Sequence, residues 1–288
     1  HSNLILALLH RSGDEAGVIE AELRRWNQQR AVPLTPSILP HANDRSPERR
    51  LRIGYLSNDF RLHSVSFFLL PLLEAHDRAQ FHVTCYATHS RSDEVTSRLR
   101  ACANEWRLMA GSSDEEIARR IREDGIDLLV DLGGHTSGNR LLVFARKPAP
   151  IQVSYLGFPG STGLETIDYR LTDNWADPPG ADTDGPSEHL ARLPETAWCF
   201  TPLSGSPPAG PLPVTQGTPL TFGCFNNFAK VNDDLLQLWV RILRQVPGSR
   251  LALKNLAVGN ASVIQRVQTF FAQQGIDERD LRSLVGFH

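Results

Sequence analysis

"IDLLVDLGGHTSGNRLLVFARKPAPIQVSYLGF", residues 126–158, contains two short apolar runs, one at each end, with a glycine-rich turn and a helical pattern over 139–146 between them. Runs of this length, rich in Val, Ile and Leu, fit strands buried on both faces. Joining them through a helix makes the strands parallel. Working outward, the same alternation recurs. Strand-like runs stand at "LRIGYL" (51–56), "FHVTCYAT" (81–88), "EWRLMA" (105–110) and "IDYRLTD" (167–173), with helical patterns at 65–76, 92–103 and 114–124. Apolar strands interleaved with amphipathic helices predict an α/β domain over 51–200, doubly wound around a parallel sheet. In the first of its helices, Phe67, Phe68, Leu70 and Leu73 are the expected buried face, and Ser64 or Ser66 the expected cap.

Residues 1–50 read differently. Two helices are expected over 2–30, joined at "RSGDEAG", with Val18, Ile19, Leu23 and Trp26 near the 3.6-residue period. A pair of this kind needs a neighbour to cover its apolar stripe. A proline-punctuated connector, 32–50, follows. After 174 the chain turns rich in Pro, Gly and small residues, so 174–217 is expected to hold loops and a linker at 201–217. Alternation then resumes over 218–288 with strand "PLTFGCFNN", helix 233–245, strand "RLALKN", helix 261–274 and strand "LRSLVGF". Two and a half βα units are too few for a covered sheet, and the expectation is a second α/β domain that is incomplete in this chain.

Composition narrows the classes of function. The chain has 288 residues, 41% hydrophobic and 22% charged, as a globular protein of about two domains should. A formal net charge of −2 argues against nucleic acid or an anionic membrane as a partner. The four cysteines, 85, 102, 199 and 224, show no CxxC pair, which points to a reduced, cytoplasmic setting. No apolar stretch reaches the roughly 18 residues of a span, and the first residues lack the pattern of a signal peptide. Lysine is rare: Lys147, Lys230 and Lys254 are the only three among 30 basic residues.

In open α/β sheets ligands gather beyond the carboxyl ends of the strands. Three loops there carry chemistry: "SNDFRLHS" with His63, "DLGGHTSGNR" with His135, and "FNNFAKVND" with Asn227 and Lys230. Two facing domains would converge them on a cleft. A histidine in such a loop also serves as a hydrogen-bonded structural residue, and "GGHTSG" also fits a tight turn with positive φ. Lys230 stands near a helix start, where the macrodipole favours acids; an anion held there by backbone N–H groups and the ammonium would explain it. "DTD", Asp182 and Asp184, resembles a metal-binding DxD but follows no strand, so no metal is expected. P-loop and GxGxxG patterns are absent.

The run "GHTSGNRLLVFARKPAPIQVSYLGFPGSTGLETIDYRLTD" together with "TFGCFNNFAKV" resembles the catalytic region of the nucleocytoplasmic-type O-linked N-acetylglucosamine transferase family, in a bacterial form, over about residues 51–288. The helical pair before it resembles a tetratricopeptide-type unit. The resemblance implies a glycosyltransferase-B architecture of two facing doubly wound domains. It also implies inverting, metal-independent transfer of a sugar, N-acetylglucosamine from UDP-GlcNAc, to Ser or Thr hydroxyls of a protein or peptide reached through the helical segment. By the same resemblance His63 lies beside the transferred sugar and Lys230 on the donor diphosphate. Asn227 falls near the nucleotide, and His135 at a donor-side position that is tyrosine in the animal enzymes. The family's further nucleotide-binding segment would fall beyond His288. Related plant enzymes point to protein O-fucosylation from GDP-fucose as a competing activity. A nucleotide-sugar epimerase and a non-catalytic adaptor also compete, and the helical pair favours a transferase acting on protein.

Overall fold

The computed structural model describes residues 1–10, 16–180, 187–202, 206–254, 261–276 and 281–284. It divides into two compact units, one of residues 1–7 and 16–206, the other holding 207–288. In the first, helices α1 (Ser2–Leu8) and α2 (Ala16–Trp26) lead through a π turn and a 3-10 turn into an extended connector. Then come β1 (Leu51–Ser57), α3 (Ser64–Ala75), β2 (Phe81–Ala87), α4 (Glu94–Cys102), β3 (Glu105–Leu108), α5 (Asp114–Glu123), β4 (Leu128–Asp131), α6 (Leu141–Phe144), β5 (Ile151–Ser154), β6 (Tyr169–Asp173) and β7 (His189–Leu193).

The seven strands form one sheet in the order β3-β2-β1-β4-β5-β6-β7, each neighbouring pair parallel. β1 is buried from Ile53 to Ser57, as a central strand covered on both faces should be. Ile53 and Tyr55 meet Leu69 and Leu73 of α3 and Leu99 of α4 on one face. On the other, Gly54 approaches Tyr86 and Leu129 closely. Local chemistry sets the helix starts. Asp93 and Thr96 form a reciprocal capping box at α4, and Ser113 and Glu116 another at α5.

Two expectations need correction. The loop region after 174 contains a strand, β7, which closes the edge of the sheet. It is partly exposed along its length and mixes His189 and Arg192 with leucines, so it lacks the continuous apolar run of an interior strand. In α3 the buried set is Val65, Ser66, Leu69, Leu70 and Leu73, while Phe67 and Phe68 are half-buried.

In the second unit, β8 (Thr221–Cys224), α7 (Asp233–Gln245), β9 (Arg250–Lys254), α8 (Ala261–Gln273) and β10 (Leu281–Leu284) build a parallel sheet ordered β10-β9-β8. Leu236, Trp239, Val240 and Leu243 of α7 pack with Leu251, Leu253, Val267 and Phe271. Among the described residues no helix is long and apolar enough to cross a membrane.

Candidate active site at the carboxyl edge of the large sheet

The strand order reverses direction at β1 and β4. Chain leaving β1 goes to one side and chain leaving β4 to the other, which opens a crevice beyond their carboxyl ends. Ser57, Asn58 and Asp59 line it from the β1 loop, and Asp131, Gly133, Thr136 and Arg140 from the β4 loop.

The β1 loop is held by a dense set of bonds before it reaches His63. The Asp59 amide donates to Ser57 Oγ at 2.9 Å, and Ser66 Oγ donates to the Asp59 carbonyl at 2.7 Å. Thr96 Oγ1 donates to the Phe60 carbonyl, and the Leu62 amide donates to Asp93 at 2.7 Å. Phe60 is fully buried and stacks near Trp106. His63 then caps α3 itself: its backbone is extended, and its Nδ1 accepts the Val65 amide at 3.3 Å. Neither expected serine caps the helix: Ser64 is already its first residue, and Ser66 is turned back onto the Asp59 carbonyl. Nε2 of His63 lies 3.8 Å from Asp59 Oδ1, and Arg61 reaches the same oxygen at 2.9 Å. The His63 side chain is 34% exposed, so its ring is reachable from outside.

The β4 loop is built around Asp131. Burial pushes its carboxyl up to about 6, although the Gly134 and Gly133 amides donate to it and pull the other way. Gly134 adopts φ +53°, and a Cβ there would fall 2.2 Å from Phe158, so the turn is made for glycine. His135 is fully buried. Its Nδ1 lies 3.0 Å from Ser2 Oγ and its Nε2 2.8 Å from the Thr162 carbonyl, with Trp26 and Phe158 packed edge-on to the ring. Burial lowers its pKa, which keeps the ring neutral. Packed in this way, His135 ties α1 and α2 to the sheet.

The β5 loop completes the edge; it lies within the run that carries the family resemblance but holds none of the candidate residues named from the sequence. Leu156 has φ +77°, and a Cβ on Gly157 would sit 1.9 Å from the Leu132 carbonyl. Glu188 clamps the same loop, accepting from Ser161 Oγ and from the Thr162 amide and hydroxyl. Lys147, one of the three lysines, is used structurally: its ammonium donates to both Asp168 oxygens and to the Thr166 carbonyl.

In the second unit, Asn227 and Lys230 lie exposed in the loop after β8. Asn227 Oδ1 accepts the Ala229 amide at 3.1 Å and so caps the 3-10 turn Phe228–Lys230. Lys230 ends that turn, two residues before Asn232, the cap of α7. Asp182 and Asp184 lie outside the described residues. Among the described residues no group of three or more His, Cys, Asp or Glu side chains is placed to hold a metal ion.

The family model for glycosyl transferase family 41 matches residues 32–200. The chain belongs to that family. A Petunia hybrida protein named probable UDP-N-acetylglucosamine–peptide N-acetylglucosaminyltransferase SPINDLY is 41% identical over 249 residues, 84% of this chain and 27% of that protein. The Arabidopsis thaliana protein of the same activity name, SEC, is 34% identical over 79% of this chain and 24% of its own length. The solved structure of a mutant O-GlcNAc transferase from Thermobaculum terrenum superposes with a TM-score of 0.92 at 35% identity, covering all of this chain and 54% of that one. The chain therefore spans less than a third of the length of these two plant relatives. The family 41 chain is α/β throughout its two sheet units, as the glycosyltransferase-B resemblance implies.

Proposed function

We propose that this family 41 chain is part of an inverting glycosyltransferase that moves a sugar from a nucleotide donor to Ser or Thr hydroxyls of proteins. N-acetylglucosamine from UDP-GlcNAc is the donor favoured by the names of the relatives. The observation that carries the reading is the position of His63. It stands on the loop that leaves β1, one of the two strands at the order reversal, held by hydrogen bonds to Ser66, Asp93 and Thr96, with its ring accessible.

In the reaction the hydroxyl oxygen attacks the anomeric carbon on the face opposite the nucleotide. The carbon–oxygen bond to the diphosphate breaks, and its electron pair leaves with the diphosphate. Two demands follow. Negative charge growing on the departing diphosphate needs a cationic partner, the role assigned to Lys230. The hydroxyl proton needs an acceptor, either an imidazole or an oxygen of the diphosphate itself. Asn227 is assigned to the nucleotide through its amide nitrogen, since its oxygen is used by the turn. The helical segment is assigned to a tetratricopeptide-like array that presents protein acceptors, and the setting to the cytoplasm.

The test is transfer by the full-length protein from UDP-GlcNAc and, in parallel, from GDP-fucose, onto Ser/Thr peptides, read by mass spectrometry. Modified peptide with inverted linkage supports the reading, and the productive donor settles the sugar. Donor hydrolysis or epimerisation without transfer, or no turnover at all, would replace it with an epimerase or an adaptor.

A further inference from the structure

We infer that Asp59 is a positioning residue for His63, holding the ring as a hydrogen-bond donor whose proton sits on Nε2. The inference rests on the transferase reading above for its chemical meaning, but its structural content stands apart from it.

A backbone amide is always a donor. The Val65 N–H reaches Nδ1 of His63 at 3.3 Å, so Nδ1 presents its lone pair, and the neutral ring carries its proton on Nε2. Asp59 Oδ1 lies 3.8 Å from that nitrogen, beyond a direct hydrogen bond but close enough for the carboxylate to favour a proton there. Asp59 does not move freely. It is buried, its amide and carbonyl are tied to Ser57 and Ser66, and its Oδ1 accepts from Arg61. The other ionisable groups sharing this corner are His89, beyond β2, and Asp93 at the start of α4.

Two consequences follow for the chemistry. To take a proton at Nε2, the ring would first have to shift its own proton to Nδ1, setting one N–H against another at Val65. To take a proton at Nδ1, it would have to give up the cap of α3. Either route disturbs the structure that places the ring. His63 instead offers Nε2–H to an oxygen of the sugar or of the attacking hydroxyl. The hydroxyl oxygen then bonds to the anomeric carbon, the bond to the diphosphate breaks, and the hydroxyl proton ends on an oxygen of the departing diphosphate. The proton on Nε2 stays in place throughout. A carboxylate that served the loop alone would leave the ring nitrogen indifferent to its charge.

The experiment uses full-length protein labelled with 15N in the imidazole rings, with the His63→Gln spectrum assigning His63. Long-range 1H–15N correlation at neutral pH should show a bare Nδ1 and a protonated Nε2. Asp59→Asn should shift the Nε2 signal and lower kcat about tenfold or more while donor KM stays within about twofold. His63→Gln, which keeps an N–H donor of similar reach but no basicity, should retain more activity than His63→Ala. An Nδ1–H tautomer in the wild-type protein overturns the inference without any variant having to fold. So does an Asp59→Asn enzyme with unshifted Nε2 and wild-type kcat. A wild-type protein that transfers no sugar would sink the transferase reading alone, because the ring spectra decide the tautomer and the influence of Asp59 by themselves.

Discussion

Ser2 Oγ and His135 Nδ1 stand 3.0 Å apart although 133 residues separate them, so the first helix of the chain is bonded directly to the loop after β4. Because burial lowers the pKa of His135, the ring is neutral in the fold and becomes charged more readily in the unfolded chain. Below about pH 6.5 the unfolded state binds the extra proton first, so stability falls as the pH drops through the window between the two pKa values. Urea unfolding at pH 7.5 and 5.5 should show a smaller loss for His135→Gln than for the parent. An equal loss would place the acid sensitivity in the other histidines lowered by burial, such as His76 and His82.

Gly157 faces the Leu132 carbonyl so closely that a methyl group has no room, and the obstacle is backbone, which cannot swing aside. Gly157→Ala should therefore disrupt the packing of the β5 loop on the β4 loop and cost more than about 3 kcal/mol. The expected result is loss of soluble, cooperatively unfolding protein. Gly160→Ala is the control, since its new Cβ would meet only Phe158 at 3.5 Å. Equal thermal stability of the two variants would show that the loop can move apart.

Much of this fold is legible in the sequence, for a physical reason. The interior strands are short unbroken apolar runs with turn residues at their ends, and burial on both faces demands that pattern. The loops that carry His63 and His135 can be placed at the carboxyl edge on the same grounds. What cannot be read depends on contacts between distant residues. The burial of His135 is set by Ser2 and Trp26, and the clamp on Ser161 and Thr162 by Glu188, from a stretch with no apolar signal. At the start of α3, serine is a better statistical cap than histidine, yet Ser66 is drawn away by the Asp59 carbonyl and His63 takes the position. The edge strand β7 escapes because one-sided exposure allows charged residues into it.

Asp127, at the entrance to β4, accepts two bonds from the Arg49 guanidinium, at 2.6 Å each, as well as the Arg52 amide and Asn43. Burial alone would raise its pKa, but these donors outweigh burial and hold the carboxyl below its ordinary value. A depressed folded pKa means the contribution is present above about pH 4 and is lost as the pH falls through the folded value. Arg49→Met leaves a mostly buried carboxylate without its main partner and should cost about 3 kcal/mol at neutral pH. The same variant should lose less than the parent on acidification below pH 4. A variant as stable as the parent at pH 7 would show that Asn43 and the Arg52 amide suffice.

Lys230 carries the most direct test of the proposed chemistry. It is exposed at the end of a 3-10 turn, just before the N-cap of α7, where backbone N–H groups and an ammonium together suit an anion. If it faces the donor diphosphate, its charge matters most when the carbon–oxygen bond is breaking and negative charge is building on the leaving group. Lys230→Ala should then lower kcat by a factor of roughly a hundred or more, equivalent to about 3 kcal/mol of transition-state stabilisation. Folding should be unaffected, since the side chain is solvent-exposed. Asn227→Ala should act differently, raising donor KM more than it lowers kcat, because a nucleotide contact is made equally in ground and transition states. Chelation separates this scheme from a metal-assisted one. With Lys230 neutralising the diphosphate, EDTA should leave wild-type turnover intact. Strong inhibition by EDTA, reversed by added Mg²⁺ or Mn²⁺, would transfer the charge-stabilising role to a cation and bring Asp182 and Asp184 back into consideration. Lys230→Ala retaining activity within a factor of two would remove the lysine from the reaction.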